Sequence, residues 1–454
     1  MKDVFDHIER NSDDYLAELQ RLVRQPSIAA QGIGIEECAR LVAAMLEEAG
    51  ARAQVLRLEG AAPLVCGEIP GRSQKTLLIY EHYDVQPPEP LDEWLSDPFD
   101  PQIRDGKLYG RGTADTKGNL AARLSAIRAL RDVRGGIPVT VKFLVEGEEE
   151  VGSVNLHRYA HHYPEVFRAD GCLWESGSKD HKEIPNLYLG VKGICYVELE
   201  ARAANRDLHS SLATIVPNPA WRLVWALATL KDKQENVLID GFYDDVAGPT
   251  PDELEELRRI AAQRDDQALL RDLELDHYLQ GLSGLELLKR HLYQPTCTIC
   301  GLVSGYTGEG SKTVLPKVAR AKIDFRLVPN QRADDVLAKL RSHLSRHAFA
   351  DVEVTELGLE NPAKTPMNSE IARVAAAAAR EVYGRDPIVY PLMAATGPMD
   401  VVCARFGTPA VGAGIGYPGT NVHAPNENIR IRDYVEGIKH IALILEMYGR
   451  GGDQ

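Results

Sequence analysis

Apolar and polar positions change period several times along this chain, and the changes divide it. Leu16, Leu19, Leu22 and Val23 recur at helical spacing until Pro26 stops the pattern. Residues 76–80 form a short apolar run, which predicts a buried strand. Residues 119–130 are rich in alanine and leucine and predict a helix. Residues 139–145 predict a second strand, and residues 171–174 a third. Strands alternating with helices predict an α/β domain with a mainly parallel sheet.

The texture shifts near Val191-Lys192-Gly193. Residues 197–201 alternate as a half-exposed strand should. Residues 217–230 and 250–290 read as helical, and Thr250-Pro251-Asp252-Glu253 has the form of a capping box with proline at the first helical position. Strands return at 296–302 and 321–327, which predicts a separate α+β domain. From about residue 365 the first texture resumes: a helix over 371–383 with Gly384 as its C-terminal cap, a strand over 410–413 and a last helix over 434–447. The expectation is one α/β domain, 1–193 and 364–454, interrupted by an inserted α+β domain, 194–363.

Composition narrows the partners. At 454 residues, with 44% hydrophobic and 26% charged positions, the chain reads as an ordinary globular enzyme. A formal net charge of -14 argues against nucleic acid or an anionic membrane as the main partner. No apolar run is long enough to span a bilayer. The polar start, Met1 to Asp6, lacks the apolar segment of a secretory signal. Seven scattered cysteines suit a reducing compartment, so the expected location is the cytoplasm.

Candidate chemistry sits at the predicted strand ends. His82 and Asp84 lie two apart and point the same way in extended chain, so the carboxylate can tune a ligating imidazole. Gly110-Arg111-Gly112 leads to Asp115 just before a helix. Glu146-Gly147-Glu148-Glu149-Glu150 follows a strand directly, and carboxylates this crowded need a cation or altered protonation. Glu175 ends another strand, and His423 lies in a Gly/Pro-rich loop. Each has a plainer reading alone, such as a helix cap or a solvated turn. Together they form a set of hard nitrogen and oxygen donors suited to Zn²⁺ and its neighbours. Five ligands exceed the needs of one catalytic zinc and fit a pair bridged by one carboxylate.

The motifs His82-Tyr83-Asp84-Val85-Gln86-Pro87, Gly110-Arg111-Gly112 to Asp115, Glu149-Glu150-Val151-Gly152-Ser153, Asp207-Leu208-His209-Ser210, Phe325-Arg326-Leu327-Val328-Pro329 and His423-Ala424-Pro425-Asn426-Glu427 occur in this order. The sequence resembles the M20 metallopeptidases, and within them the carnosine dipeptidase-like branch. The resemblance implies a zinc-peptidase-like catalytic domain and an inserted lid and dimerisation domain. It implies two divalent metal ions per subunit, zinc first, with manganese or cobalt as alternatives. His82 and Glu175 would hold one metal, Glu150 and His423 the other, and Asp115 would bridge them. Glu149 would be the general base, and Asp84 would support His82. His209 would stabilise the oxyanion, often from a partner subunit. Arg326, with Thr396 and Gly397, would bind the substrate carboxylate. The implied activity is hydrolysis of dipeptides or short peptides. The alternative is an amidohydrolase acting on N-acyl or N-carbamoyl amino acids, and a homodimer is expected either way.

Three positions depart from the pattern. Glu81 stands where relatives have glycine. Thr116 follows the bridging Asp115 in place of an acidic or apolar residue. Glu175 matches the carboxypeptidase and aminoacylase branches, whereas carnosine-type enzymes tend to have aspartate. Two other stretches look functional and are not expected to be. Gly305 to Thr313 lacks a lysine directly after its last glycine, so it is no phosphate loop. Cys297 and Cys300 lie in a predicted strand with no second cysteine pair.

Overall fold

The computed structural model describes residues 1–451, which form two compact units. The first comprises Met1–Gly190, Lys364–Met393 and the chain from Pro398 onward; the second comprises Val191–Ala363 and the short segment Ala394–Gly397.

The first unit is built on a mixed, mainly parallel sheet. Strands Thr140–Glu146, Thr76–His82, Gly171–Trp174 and Ala410–Gly412 run parallel side by side at its centre. The antiparallel pair Arg52–Leu56 and Leu64–Ile69 closes one edge. The central strands are buried almost throughout, which is why they read as continuous apolar runs rather than as alternation. Leu77 and Ile79 share a core with Leu120, Leu124 and Ile127 of helix Lys117–Arg134 and with Ile438, Ile441 and Leu445 of helix Ile431–Gly449. Each fully buried side chain of this kind contributes about 1.5–3 kcal/mol, so a core of this extent can carry the buried charges described below. Helix Glu370–Tyr383 ends on Gly384 in the left-handed region, φ 65°, as the sequence predicts.

The second unit is an antiparallel sheet in the order Thr298–Ser304, Val318–Leu327, Gly190–Arg202, Glu353–Glu360. Alternate residues Ala319, Ala321, Ile323, Phe325 and Leu327 pack against helices Pro219–Ala228 and Ala333–Arg346. The capping box at Thr250 forms: its hydroxyl accepts the Glu253 N–H at 3.4 Å, and the Glu253 carboxylate accepts the Thr250 N–H at 2.8 Å. The glycine-rich stretch after Ser304 leads into the strand Val314–Leu315, not into a helix. Among the described residues, no helix is long and apolar enough to cross a membrane.

Candidate metal centre

Three neighbouring parallel strands end at the same side of the sheet, and each delivers donors there. His82 is the last residue of its strand and pairs in register with Glu146. The strand Thr140–Glu146 leads into a single 3-10 turn, Glu149–Val151, closed by Gly152 at φ 90°. Gly171–Trp174 leads directly to Glu175. Ends of parallel strands in an α/β sheet are where such folds place their sites. Asp115 comes from the turn before helix Lys117–Arg134, and His423 from the loop before strand Asn428–Arg430.

Asp115 is shared between the two imidazoles. Its Oδ1 lies 3.1 Å from His82 Nε2, and its Oδ2 lies 3.0 Å from His423 Nε2. Glu150 Oε2 is 3.2 Å from His423 Nε2. Glu175 Oε2 is 3.6 Å from His82 Nε2, and Glu149 Oε2 is 3.9 Å from it. Donor atoms of Asp115, Glu150 and His423 all fall within 4.8 Å of one another. Ligands about 2.0–2.1 Å from a tetrahedral ion stand roughly 3.3 Å apart, and these spacings match. Glu175 Oε2 is buried with no hydrogen-bond donor among the described residues. A buried carboxylate oxygen left bare is costly unless something cationic meets it. The residues present therefore fit two divalent cations sharing Asp115.

The electrostatics agree. Burial drives the carboxyls of Glu149 and Glu175 well above their ordinary range; Glu175 adds to the effect on Glu149, and Asp115 to that on Glu175. Burial would lower the pKa of His82, but hydrogen bonds to Asp115 and Asp84 overcome it and raise it. Asp115 and Glu150 push His423 up to about 10. The two imidazoles are thus held in a field that favours positive charge, the field a dication would occupy.

Supporting residues complete the site, and two of them, Gln86 and Glu427, escape a reading of the sequence. Asp84, expected to steady His82, lies 3.5 Å from its Nδ1 through the carboxylate, but the closer contact, 3.0 Å, is the main-chain carbonyl of Asp84. The Asp84 carboxylate instead accepts the N–H groups of Glu149 and Glu150, at 3.2 and 3.0 Å. It fixes the turn that carries the base and a ligand. Gln86 donates from Nε2 to Glu150 Oε2 at 2.9 Å. Glu427 accepts from Arg111 and from the N–H groups of Gly112, Ala114 and Asp115, at 2.7 to 3.0 Å. It stitches the His423 loop to the Asp115 turn. Gln86 and Glu427 sit inside the quoted motifs, so the motifs were the available signal.

Glu81 faces away from His82, as alternation along a strand requires. It is fully buried, ion-paired to Arg123, and accepts from the Thr116 hydroxyl at 2.8 Å. In the second unit, Arg326 donates from Nε to Asp324 at 3.0 Å and from Nη1 to Thr396 at 2.7 Å. Gly397 belongs to the same short segment as Thr396. His209 is exposed, and its Nδ1 accepts the Ser211 N–H at 3.2 Å.

Residues 78–447 match the family model described as Peptidase family M20/M25/M40. The chain is 28% identical to the rat (Rattus norvegicus) Beta-Ala-His dipeptidase, over 97% of this chain and 94% of that one. It is 29% identical to the Cys-Gly metallodipeptidase dug1 of Schizosaccharomyces pombe, over 76% and 75%. The solved structure of an M20 family metallo-carboxypeptidase, Sso-CP2, from Sulfolobus solfataricus superposes with a TM-score of 0.92 at 41% identity, covering 96% of this chain and 99% of that one. With a family model matched over most of its length, the chain belongs to peptidase family M20/M25/M40 and is a hydrolase of the metallopeptidase class.

Proposed function

We propose that this chain hydrolyses the amide bond of dipeptides or short peptides with a free carboxylate, using two divalent cations, zinc in the first instance. The observation that carries the reading is Asp115, one carboxylate shared by two imidazoles, with Glu149 beside it. His82 and Glu175 would hold one ion, Glu150 and His423 the other, and Asp115 both. Bound there, the pair would supply an activated water and polarise the scissile carbonyl.

The chain's own residues do the rest. Glu149 takes a proton from the attacking water and passes it to the nitrogen of the leaving amine. Asp84 keeps that carboxylate in place through the Glu149 N–H. We assign Arg326 to the substrate carboxylate, because Asp324 and Thr396 hold its guanidinium fork rigid. We assign His209 to the oxyanion. Its Nδ1 accepts a main-chain N–H, so the neutral ring carries its proton on Nε2 and can donate.

Glu149→Gln tests the base. The variant should retain two metal equivalents and lose about 10²–10⁴-fold in kcat; full activity with metal bound would sink the assignment. Glu175 carries a second reading, hydrolysis of N-acyl or N-carbamoyl amino acids, since this ligand matches the carboxypeptidase and aminoacylase branches alike. Parallel turnover of a dipeptide panel and an N-acetyl amino-acid panel separates the two.

We also infer a homodimer through the second unit. Strand Thr298–Ser304 is the edge of its sheet, with Ile299, Leu302 and Val303 exposed, and helix Pro219–Ala228 exposes Trp221 and Trp225. An exposed apolar edge strand is a template for pairing with a second copy. Sedimentation should show a dimer that Leu302→Lys weakens; a monomeric, fully active enzyme would remove the inference. Free thiols at all seven cysteines accord with a cytoplasmic setting.

A further inference from the structure

The two positions at which the chain departs from its motifs beside the ligands, Glu81 and Thr116, touch each other. Both belong to a network centred on Arg123, in the second turn of helix Lys117–Arg134. Arg123 is 1% exposed and Glu81 0%. A buried arginine with one carboxylate partner still has donors to satisfy, and where they go is informative. Nη1 donates to the carbonyl of Tyr80 at 3.0 Å. Nη2 donates to the carbonyls of Trp174 at 2.5 Å and Ala413 at 3.5 Å.

These carbonyls are not arbitrary. Tyr80 lies two residues before His82, and Trp174 directly precedes Glu175. One planar guanidinium therefore spans the ends of two adjacent parallel strands, each of which delivers a ligand to the same half of the centre. Glu81 carries the link further. Its Oε1 pairs with Nη1 of Arg123, and its Oε2 accepts from Thr116, the residue after Asp115. Asn119 donates to the Thr116 hydroxyl at 3.0 Å and accepts the Ile415 N–H at 3.1 Å, which anchors the far end. Tyr80 and Trp174 also stack, ring centroids 4.2 Å apart, so the two strands are locked by side chains as well.

We propose that the Glu81–Arg123 pair is a positioning device for the metal centre, setting the spacing of His82 and Glu175 through the main chain and of Asp115 through Thr116. It touches neither substrate nor ligand atoms. The neutralising carboxylate matters too: an unpaired buried guanidinium here would repel a bound dication. The Glu150 and His423 half lies outside the network, so the two halves should respond unequally. This inference rests on the two-cation reading of the site.

The experiment uses Co²⁺ on the full-length protein stripped of metal. Wild-type protein is titrated first; failure to take up two equivalents would refute the two-cation reading itself. Arg123→Met, Arg123→Lys and Thr116→Val are then compared by chelator competition and by the visible ligand-field bands of bound Co²⁺. Arg123→Met should weaken one Co²⁺ by about 10–100-fold, the range for residues that orient metal ligands, and shift its bands. The second Co²⁺, which shares only Asp115 with the network, should weaken less. Thr116→Val should shift the same bands less, and Arg123→Lys should recover part of the loss. A purely structural role would lower the stability of the metal-free protein and leave the bands of bound Co²⁺ unchanged. Wild-type affinities and bands in Arg123→Met overturn the proposal. If that variant does not fold, wild-type behaviour of both Arg123→Lys and Thr116→Val overturns it.

Discussion

The first unit contains two groups of carboxylates, one fully buried and one half-buried at the site, that differ in the partners the fold gives them. Glu81, Asp84, Glu146 and Glu427 each have donors close at hand. Glu81 has Arg123 and Thr116; Asp84 has two main-chain N–H groups. Glu146 accepts from the Tyr80 and Ser153 hydroxyls at 2.7 and 2.9 Å, and Glu427 has Arg111 and three N–H groups. Asp115, Glu149, Glu150 and Glu175 face one another with only His82 and His423 as titratable partners, and one oxygen of Glu175 has no donor among the described residues. Glu150 also accepts from the Gln86 N–H and from Gln86 Nε2, at 3.2 and 2.9 Å, so the contrast is sharpest at Glu175. Four carboxylates gathered around two imidazoles are what two dications would neutralise. The distinction separates carboxylates that build the site from carboxylates that wait for a ligand.

The largest effect that can break this comparison lies in the satisfied group. Glu427→Gln leaves the Arg111 guanidinium, 1% exposed, without its anion and removes an acceptor from the Asp115 turn. Removing one partner of a buried ion pair costs about 3–5 kcal/mol. Denaturant unfolding of the metal-free variant should show a loss of this size. A metal-free stability equal to wild type would mean that Glu427, like Glu175, belongs to the waiting group.

Much of this was legible in the sequence, and the boundary of legibility has a physical cause. His82, Asp115, Glu149, Glu150, Glu175 and His423 could be chosen because each is tied to the local signature of a strand end, a helix start or a loop. The structure brings all six side chains together. The roles of Glu427 and Arg123 were not legible. Arg111 and Glu427 are 316 positions apart, and Arg123 reaches carbonyls 43, 51 and 290 positions away. No local pattern reports such pairings. Asp84 shows a subtler limit. Period-two alternation set it beside His82 correctly, but main-chain donors 65 and 66 positions later in sequence had the stronger claim on its carboxylate. In the run from Glu146 to Glu150, composition alone could not say which carboxylates face the site. The 3-10 turn decides: Glu146 and Glu148 accept hydrogen bonds from Ser153 and Asn155, while Glu149 and Glu150 face the imidazoles.

Histidines sharpen the same comparison with a smaller effect. His440 is as buried as His82, yet among the described residues nothing anionic holds it; Nε2 contacts the Ala375 carbonyl at 3.0 Å. Burial pulls it down to about 4 from an ordinary value of 6.5, opposite in direction to His82 and His423. A histidine kept neutral by folding contributes stability that is complete above its unfolded pKa. That contribution is lost as pH falls from 6.5 toward 4, because the unfolded chain takes the proton first. The shift corresponds to about 3 kcal/mol by pH 4. His440→Phe should flatten the acid limb of the unfolding curve by about this amount. An unchanged limb would show that the acid sensitivity originates elsewhere.

The smallest effect is the most discriminating, because its sign is reversed. Glu175→Gln removes a negative charge from a group that lacks donors while keeping the side chain's size. If Glu175 helped the fold, as Glu427 does, the metal-free variant would be less stable. The geometry argues the contrary: Oε2 is buried without a hydrogen-bond donor among the described residues, and burial outweighs the favourable pull of His82, with Asp115 adding to the opposition. Relieving a desolvated, poorly paired ion, whose cost is several kcal/mol, should raise metal-free stability by on the order of 2 kcal/mol. The same substitution should weaken cation binding at the His82 half and lower activity, because an amide oxygen is a poorer donor than a carboxylate. A variant that gains stability without metal and loses affinity for metal is the behaviour expected only of a residue placed for a ligand. A loss of both would make Glu175 a structural residue of the strand end and leave His82 and Asp115 to hold that ion without it.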